Sequence, residues 1–261
     1  MDILARRCGV DPLELRLKNA IYPGSLTPTQ VMCNESLTGN LTECLNRIRP
    51  LAEWDGGQAL PIKEGTVRAK GVACFWKTEN PPTDAVSGAL ITFNPDGSVN
   101  LNTGVVEMGS GGQTHLAQFL AERLRIAPAQ VHVVMPVDTR TAPEHWKTVA
   151  SFTEYMAGHA VLRAVDDLLL QLRRNGAEAF GCAPEEVEIA DGRVSSKRDP
   201  NRFIPFQDLA QGYQSPEGAS LGEPALGRGG FMLKGLSMLD PQTGQGKTGP
   251  AWTLGVQVVE V

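Results

Sequence analysis

Glu107-Met108-Gly109-Ser110-Gly111-Gly112-Gln113-Thr114 is the stretch of sequence on which the interpretation of this chain depends. It follows a run of β-branched and apolar residues at 98–106 and precedes apolar residues at helical spacing across 114–125. Glycines in a strand-to-helix connection let backbone amides approach an anion closely, and the helix adds the partial positive charge of its N-terminus. The stretch therefore predicts an anion-binding turn, and a plain glycine hinge is the alternative.

Known glycine motifs do not match this turn. A nucleotide P-loop requires a Lys followed by Ser or Thr, which is missing here, and the GxGG spacing differs from the GxGxxG of dinucleotide-binding folds. Ser110 suggests a nucleophile elbow, but Met108 stands where that motif has glycine. A hydrolase that depends on Ser110 is kept as a separate hypothesis.

The pattern on both sides of the turn predicts an α+β fold. The predicted strands are 66–78, 85–93, 98–106, 131–135 and 256–261, with a hairpin around Asp191-Gly192. The predicted helices are 2–8, 11–19, 40–51, 114–125 and 154–174. Residues 22–39 and the Gly- and Pro-rich tail at 216–250 are predicted as loop. We expect an antiparallel or mixed β-meander sheet packed with long helices.

Composition excludes several classes of partner. The chain has 261 residues, with 24 Lys and Arg against 29 Asp and Glu, so its net charge is −5. This acidic balance without a basic cluster argues against nucleic acid or an anionic membrane as the partner. The chain contains no apolar run of about 20 residues, and residues 1–7 do not have the order of a secretory signal. We therefore expect a cytoplasmic protein.

Metal-binding patterns are missing as well. The five cysteines are Cys8, Cys33, Cys44, Cys74 and Cys182, and no two of them form a CxxC pair. The four histidines fall in different predicted elements, without HExxH spacing. The sequence thus predicts reduced thiols and no metal site, and no catalytic residue is assigned.

The chain nevertheless resembles one family along nearly its whole length. The matching stretches are 11–19, 107–118, 131–135, 138–139, 148–153, 158–160 and 255–261. Together they resemble the large, molybdenum-cofactor-binding subunit of the molybdenum hydroxylases, the group of xanthine dehydrogenase, aldehyde oxidase and aerobic carbon monoxide dehydrogenase. Their order and spacing are more specific than any one motif.

This resemblance implies an oxidoreductase that hydroxylates an N-heterocycle or an aldehyde with oxygen from water. It also implies a molybdenum-pterin cofactor held by two loops. The residues implied to line that site are Gly109, Ser110, Gly111, Gly112, Thr148, Ala150, Ser151 and Thr153. Iron–sulfur clusters and FAD would lie on partner chains or on missing segments, and the rest of the large subunit and a small-molecule substrate would be the other partners.

The family comparison also predicts domains. Residues 1–60 would close the first cofactor-binding domain, and 61–261 would form the N-terminal part of the second. The catalytic Gly-Glu of the family is missing at its expected place, because Gly222-Glu223 precedes the strand at 256–261 instead of following it. We therefore expect a piece of a longer large subunit that is inactive alone.

Departures from the family pattern support a rival hypothesis. Ser110 replaces the glutamine of the usual Met-Gly-Gln-Gly, His145 and Trp146 replace a glycine pair, and Phe152 replaces an arginine. Under the rival hypothesis, the chain is a non-catalytic binding or assembly module whose site no longer holds molybdenum.

Overall fold

The computed structural model describes residues 1–78, 83–134, 136–149 and 151–261. Its helices are α1 (Asp2–Cys8), α2 (Pro12–Asn19), α3 (Glu35–Thr38), α4 (Leu41–Leu51), α5 (Gly112–Leu124), α6 (Phe152–Phe180) and α7 (Phe206–Leu209). Its strands are β1 (Ala59–Lys63), β2 (Thr66–Thr78), β3 (Val86–Phe93), β4 (Val99–Thr103), β5 (Val131–Val133), β6 (Val187–Ala190), β7 (Arg193–Ser196), β8 (Phe203–Pro205), β9 (Gln211–Gln214), β10 (Ser220–Pro224), β11 (Leu226–Met232) and β12 (Trp252–Glu260). Among the described residues, every helix is too short or too polar to cross a lipid bilayer.

The chain divides into two compact units, residues 1–83 with 234–261 and residues 84–233. These units group residues that are close in space. The boundary predicted at residues 60 and 61 follows the domain scheme of the family along the chain, and it stays a prediction.

The first unit is a three-stranded antiparallel sheet, in the order β1-β2-β12, with helices on one face. Leu13 of α2 and Leu45 of α4 are fully buried in its core with Trp54. The Asp11 carboxylate caps α2 by accepting hydrogen bonds from the amides of Leu13 and Glu14, as the sequence predicts. Glu14 lies three residues after Asp11, the spacing that predicts a return hydrogen bond from its side chain to the Asp11 amide, and this prediction is wrong because the carboxylate pairs with Arg49 instead.

The second unit is built on a mixed four-stranded sheet in the order β11-β3-β4-β5, in which only β4 and β5 run parallel. Helix α6 packs closely across β11, because a Cβ on Gly229 would lie 2.1 Å from the carbonyl oxygen of Ala160. Gly227 makes a similar approach, 2.5 Å from the carbonyl of Ala164. Glycines in this strand therefore let the helix backbone come to the sheet.

The α+β class with antiparallel and mixed sheets is confirmed, whereas the path of the chain differs from a simple meander. β2 pairs with β1 and β12, whereas β3 pairs with β4 and β11, so the consecutive strands β2 and β3 belong to different sheets. Predicting the tail at 216–250 as loop was wrong, because β10 and β11 lie within it. A high glycine content is typical of loops, but here the glycines of β11 allow α6 to pack closely on the strand. The strand predicted at 131–135 is observed at Val131–Val133, and Met135 lies outside the described residues.

Helix α6 is longer than the pattern predicts, running from 152 to 180 instead of 154 to 174. Its last turns contain Asn175 and Gly176, which are unfavourable in helix interiors but are buried here. A Cβ on Gly176 would lie 3.2 Å from Val187 of β6 and 3.3 Å from Val194 of β7. Tertiary packing therefore extends the helix past the point where its apolar spacing ends.

Candidate functional site

The glycine turn lies between the end of β4 and the start of α5, as the sequence predicts. Gly109 has φ 96° and Gly111 has φ 77°, conformations in which a side chain is strained. Gly111 is the N-terminal cap residue of α5, which has 13 residues. The backbone conformation therefore requires glycine at these two positions and directs successive amides to one side of the turn.

The carboxylate of Glu107 occupies the concave side of this turn. The amides of Gly109 and Gly111 donate to its Oε1 atom at 2.7 and 3.0 Å, and the amide of Gln113 donates to Oε2 at 3.3 Å. These hydrogen bonds, with the Gly111 bond contributing most, lower the pKa of Glu107 below its usual range. We call the amides of Gly109, Gly111 and Gln113 the amide cradle, and within this chain a carboxylate occupies it.

A pocket of about 600 Å³ lies beside the amide cradle. This volume is within the usual range of small-molecule sites, roughly 300 to 1,000 Å³. The described residues that line it are Glu107, Gly109, Gly111, Gln113, Thr114, Ala117, Gln118, Pro128, Val131 and Val133. This set combines amides and polar side chains with an apolar wall from β5, and no Lys or Arg belongs to it.

Two hydroxyl groups of the second predicted loop, at 148–153, accept hydrogen bonds from backbone amides. Thr148 Oγ1 accepts a hydrogen bond from the amide of Val106 at 3.0 Å. Thr153 is buried, and its Oγ1 accepts from the amide of Val149 at 2.9 Å. Ser151 is exposed and immediately precedes α6, and Ala150 lies outside the described residues.

The two predicted loops meet at Gly112. A Cβ placed on Gly112 would lie 3.5 Å from Glu154 Oε1, and 3.7 Å from both Ser110 Oγ and Thr153 Cγ2. The structure thus brings together the glycine turn and the start of α6, which are about 40 residues apart in sequence. A Cβ at position 112 would be in ordinary van der Waals contact with both loops.

Sequence reasoning missed an interaction at this junction. His115 Nδ1 lies 3.0 Å from Glu154 Oε1, so the first turns of α5 and α6 are linked by an imidazole and a carboxylate. The only sequence signal is that each residue follows its loop by a few positions, and this does not reveal the pairing.

Two buried oxygens at the site have no hydrogen-bond partner among the described residues. They are Gln113 Oε1 and Glu154 Oε2. Buried polar atoms in proteins are nearly always satisfied, by water or a ligand if not by the chain. A polar ligand with N–H or O–H donors, directly or through water, fits this arrangement, and the pterin part of a molybdenum cofactor carries such donors.

The hydrolase hypothesis finds no support in this geometry. Ser110 is exposed, and among the described residues no hydrogen bond joins its hydroxyl to an imidazole. His115 is instead held by Glu154. The arrangement of nucleophile and base that activates a serine is therefore not formed.

His145 and Trp146 pack against β3. His145 Nδ1 lies 3.0 Å from Ser87 Oγ, and the amide of Trp146 donates to the carbonyl of Val86 at 2.9 Å. Burial lowers the pKa of His145. A Cβ on Gly88 would lie 2.8 Å from Pro143, which shows how closely this segment follows the strand.

Glu223 is far from the glycine turn. Its backbone is held by Asn175, whose Nδ2 donates to the Glu223 carbonyl at 2.7 Å. Asn175 follows Thr153 by 22 residues along α6, so the two positions are about 33 Å apart at a rise of about 1.5 Å per residue. Within the described residues, no group of three His, Cys, Asp or Glu side chains is placed to hold a metal ion.

Comparisons with known proteins agree with this fold. A family model described as a molybdopterin cofactor-binding domain matches residues 47–261. The putative xanthine dehydrogenase molybdenum-binding subunit of Escherichia coli K12 is 33% identical over 215 residues, which cover 80% of this chain and 28% of the relative. The aldehyde oxidoreductase of Megalodesulfovibrio gigas is 29% identical over 197 residues, covering 73% of this chain and 21% of that protein.

Solved structures share the fold. The CO dehydrogenase from Oligotropha carboxidovorans aligns over 100% of this chain and 33% of its own, with a TM-score of 0.67 and 19% identity. The chain thus spans about a third of that structure and about a quarter of the length of the two curated relatives.

Proposed function

This chain belongs to the family of molybdopterin cofactor-binding domains found in the large subunits of molybdenum hydroxylases, and from that premise we propose that the glycine turn and the loop at 148–153 form two walls of its cofactor site. The observation that carries the proposal is their meeting at Gly112, beside the pocket of about 600 Å³. Gly109, Ser110, Gly111, Gly112, Thr148, Ala150, Ser151 and Thr153 are the proposed lining.

The bound cofactor would supply oxidation and reduction at molybdenum, with water as the source of oxygen. The chain's own contribution is to hold and orient it. The two walls meet at Gly112, and Thr153 keeps the second loop in place through its hydrogen bond to Val149. The His115–Glu154 pair fixes α5 relative to α6. We assign no catalytic residue to this chain.

The whole enzyme would hydroxylate an N-heterocycle or an aldehyde. Relatives are named as subunits, for example the molybdenum-binding subunit of E. coli, which supports partner chains in the working complex. We propose that iron–sulfur clusters and flavin lie outside these 261 residues, on partner chains or on further segments of the large subunit. A cytoplasmic location stays a prediction.

The test is whether the complete large subunit that contains this chain retains pterin and molybdenum when it is produced in cells that make the cofactor. Gly111→Leu should abolish retention, because φ 77° strains a side chain and distorts the cradle. Gly218→Leu is the matched control, since Gly218 also has positive φ and open space around it but lies in the turn between β9 and β10. Equal retention in both variants would contradict the proposed site, and failure of the unmodified complete subunit to retain cofactor would favour the binding-module hypothesis.

A further inference from the structure

The amide cradle is occupied by part of the chain itself. Anion-binding turns leave amides free for the ligand, but here Gly109, Gly111 and Gln113 donate to Glu107, which lies only two to six residues before them. The contact is local, so it forms whenever the turn forms. Its geometry depends on the positive φ angles of Gly109 and Gly111.

A phosphate and the Glu107 carboxylate would compete for this cradle. Both are anions that accept hydrogen bonds from amides, and each N–H donates one strong bond. No Lys or Arg belongs to the described lining of the adjacent pocket, so no cation there offsets the repulsion between two anions. A phosphate could use the cradle only by displacing Glu107.

We propose that Glu107 is the resident anion of the amide cradle and acts as a specificity-determining residue that excludes phosphate from the glycine turn. The turn is thereby held in one conformation by the carboxylate. Its outer face and the Ser110 side chain are left for ligand contacts.

This inference rests on the proposed function, because it states which groups of a bound cofactor the glycine turn can contact. Glycine-rich turns next to a helix N-terminus ordinarily indicate phosphate binding. Here the cradle amides would not be phosphate ligands, and the phosphate of the cofactor would have to be held elsewhere. The turn would then recognise the uncharged part of the cofactor.

The experiment follows the backbone amide signals of Gly109 and Gly111 by NMR while inorganic phosphate is added to the full chain. In the unmodified chain we expect these signals to stay in place. In Glu107→Gln, which keeps the shape of the side chain, and in Glu107→Ala, we expect saturable shifts and phosphate affinity at least about tenfold higher, because the internal negative charge is gone. Glu122→Ala is the matched control, since it removes an exposed carboxylate from α5 outside the cradle.

Two results would overturn the proposal. One is a saturable phosphate shift at Gly109 and Gly111 in the unmodified chain. The other is no gain of phosphate affinity in either Glu107 variant. Cofactor retention by the unmodified complete subunit is a separate readout: if the phosphate results hold and no pterin is retained, the proposed function fails while the assignment of Glu107 stands.

Discussion

Two regions of the molecule, one near each end of α6, have glycine and glutamate close together in sequence, and they differ in which residues hold them by hydrogen bonds. In the glycine turn, the carboxylate of Glu107 accepts hydrogen bonds from amides two to six residues later. In the second region, the amide of Gly222 donates to Glu178, and Asn175 holds the backbone of Glu223, so the partners are 44 to 48 residues away. The first arrangement is local and can be read from sequence, whereas the second exists only because α6 docks on the sheet.

Loss of the contact between α6 and β11 should lower stability more than any other change proposed here. The reason is that both regions depend on α6: the glycine turn contacts its start, and Glu223 contacts its later part. Gly229→Val places a side chain where a Cβ already lies 2.1 Å from the Ala160 carbonyl. We expect the free energy of unfolding to fall by about 3 kcal/mol, measured by urea denaturation.

Gly230→Val is the control for this change. It alters the next residue of the same strand, where a Cβ would meet nothing within 4 Å. We expect an effect of about 0.5 kcal/mol or less. Equal effects at the two positions would show that close helix packing is not what requires glycine in β11.

Alanine at one glycine of each region, Gly111 and Gly222, distinguishes the local region from the long-range one. Both have positive φ, 77° at Gly111 and 69° at Gly222. A Cβ at Gly222 would lie 2.8 Å from the buried Asn175 side chain, whereas a Cβ at Gly111 would lie 3.8 Å from His115 Nε2. We expect losses of about 2 kcal/mol for Gly222→Ala and about 1 kcal/mol for Gly111→Ala. The reverse order in urea denaturation would contradict the distinction.

The local cradle should also respond to pH. The folded-state pKa of Glu107 is lowered by the cradle amides, so its stabilising contribution is present above the usual value of 4.5 and is lost as the pH falls through the lower folded pKa. We expect protection of the Gly111 amide against hydrogen exchange, corrected for intrinsic rates, to fall about tenfold over this acid range.

Glu107→Gln is the control for the acid response, because it cannot titrate at position 107. The response that belongs to Glu107 is therefore the difference between the two proteins. An identical pH response in both would contradict the assignment to Glu107.

Ser110→Gln should change stability least. Ser110 is exposed, and we expect a change within about 0.5 kcal/mol in urea denaturation. Glutamine is the residue that the family pattern has here, so we expect cofactor retention to rise. Glu122→Gln supplies an exposed glutamine on α5 as control, and an equal rise in both variants would remove the argument for position 110.

Elements stabilised by nearby residues were predicted from the sequence. The start of α2 is one example, since Asp11 caps it within three residues, and the turn from β4 to α5 is another. The tail at 216–250 was predicted wrongly, because the glycines of β11 are explained by Ala160 and Ala164 of α6, more than 60 residues earlier.

The candidate site also has parts that could be predicted from the sequence and parts that could not. The residues of both walls could be named from the sequence and from the family resemblance. The spacing of Glu107 from Gly109 and Gly111 could have predicted that its carboxylate occupies the cradle. The glycine pattern alone predicts only a site for an external anion. The pairing of His115 with Glu154 could not be found, because nothing in either segment specifies the other.

The sequence by itself determined the α+β class, the glycine turn and the family to which the chain belongs, because these depend on local conformation and on the order of short motifs. Only the tertiary structure decided which strands share a sheet, how far α6 extends and that Gly112 meets Thr153 and Glu154. The physical reason is that a contact between distant segments depends on shape and burial on both sides, which neither segment encodes alone.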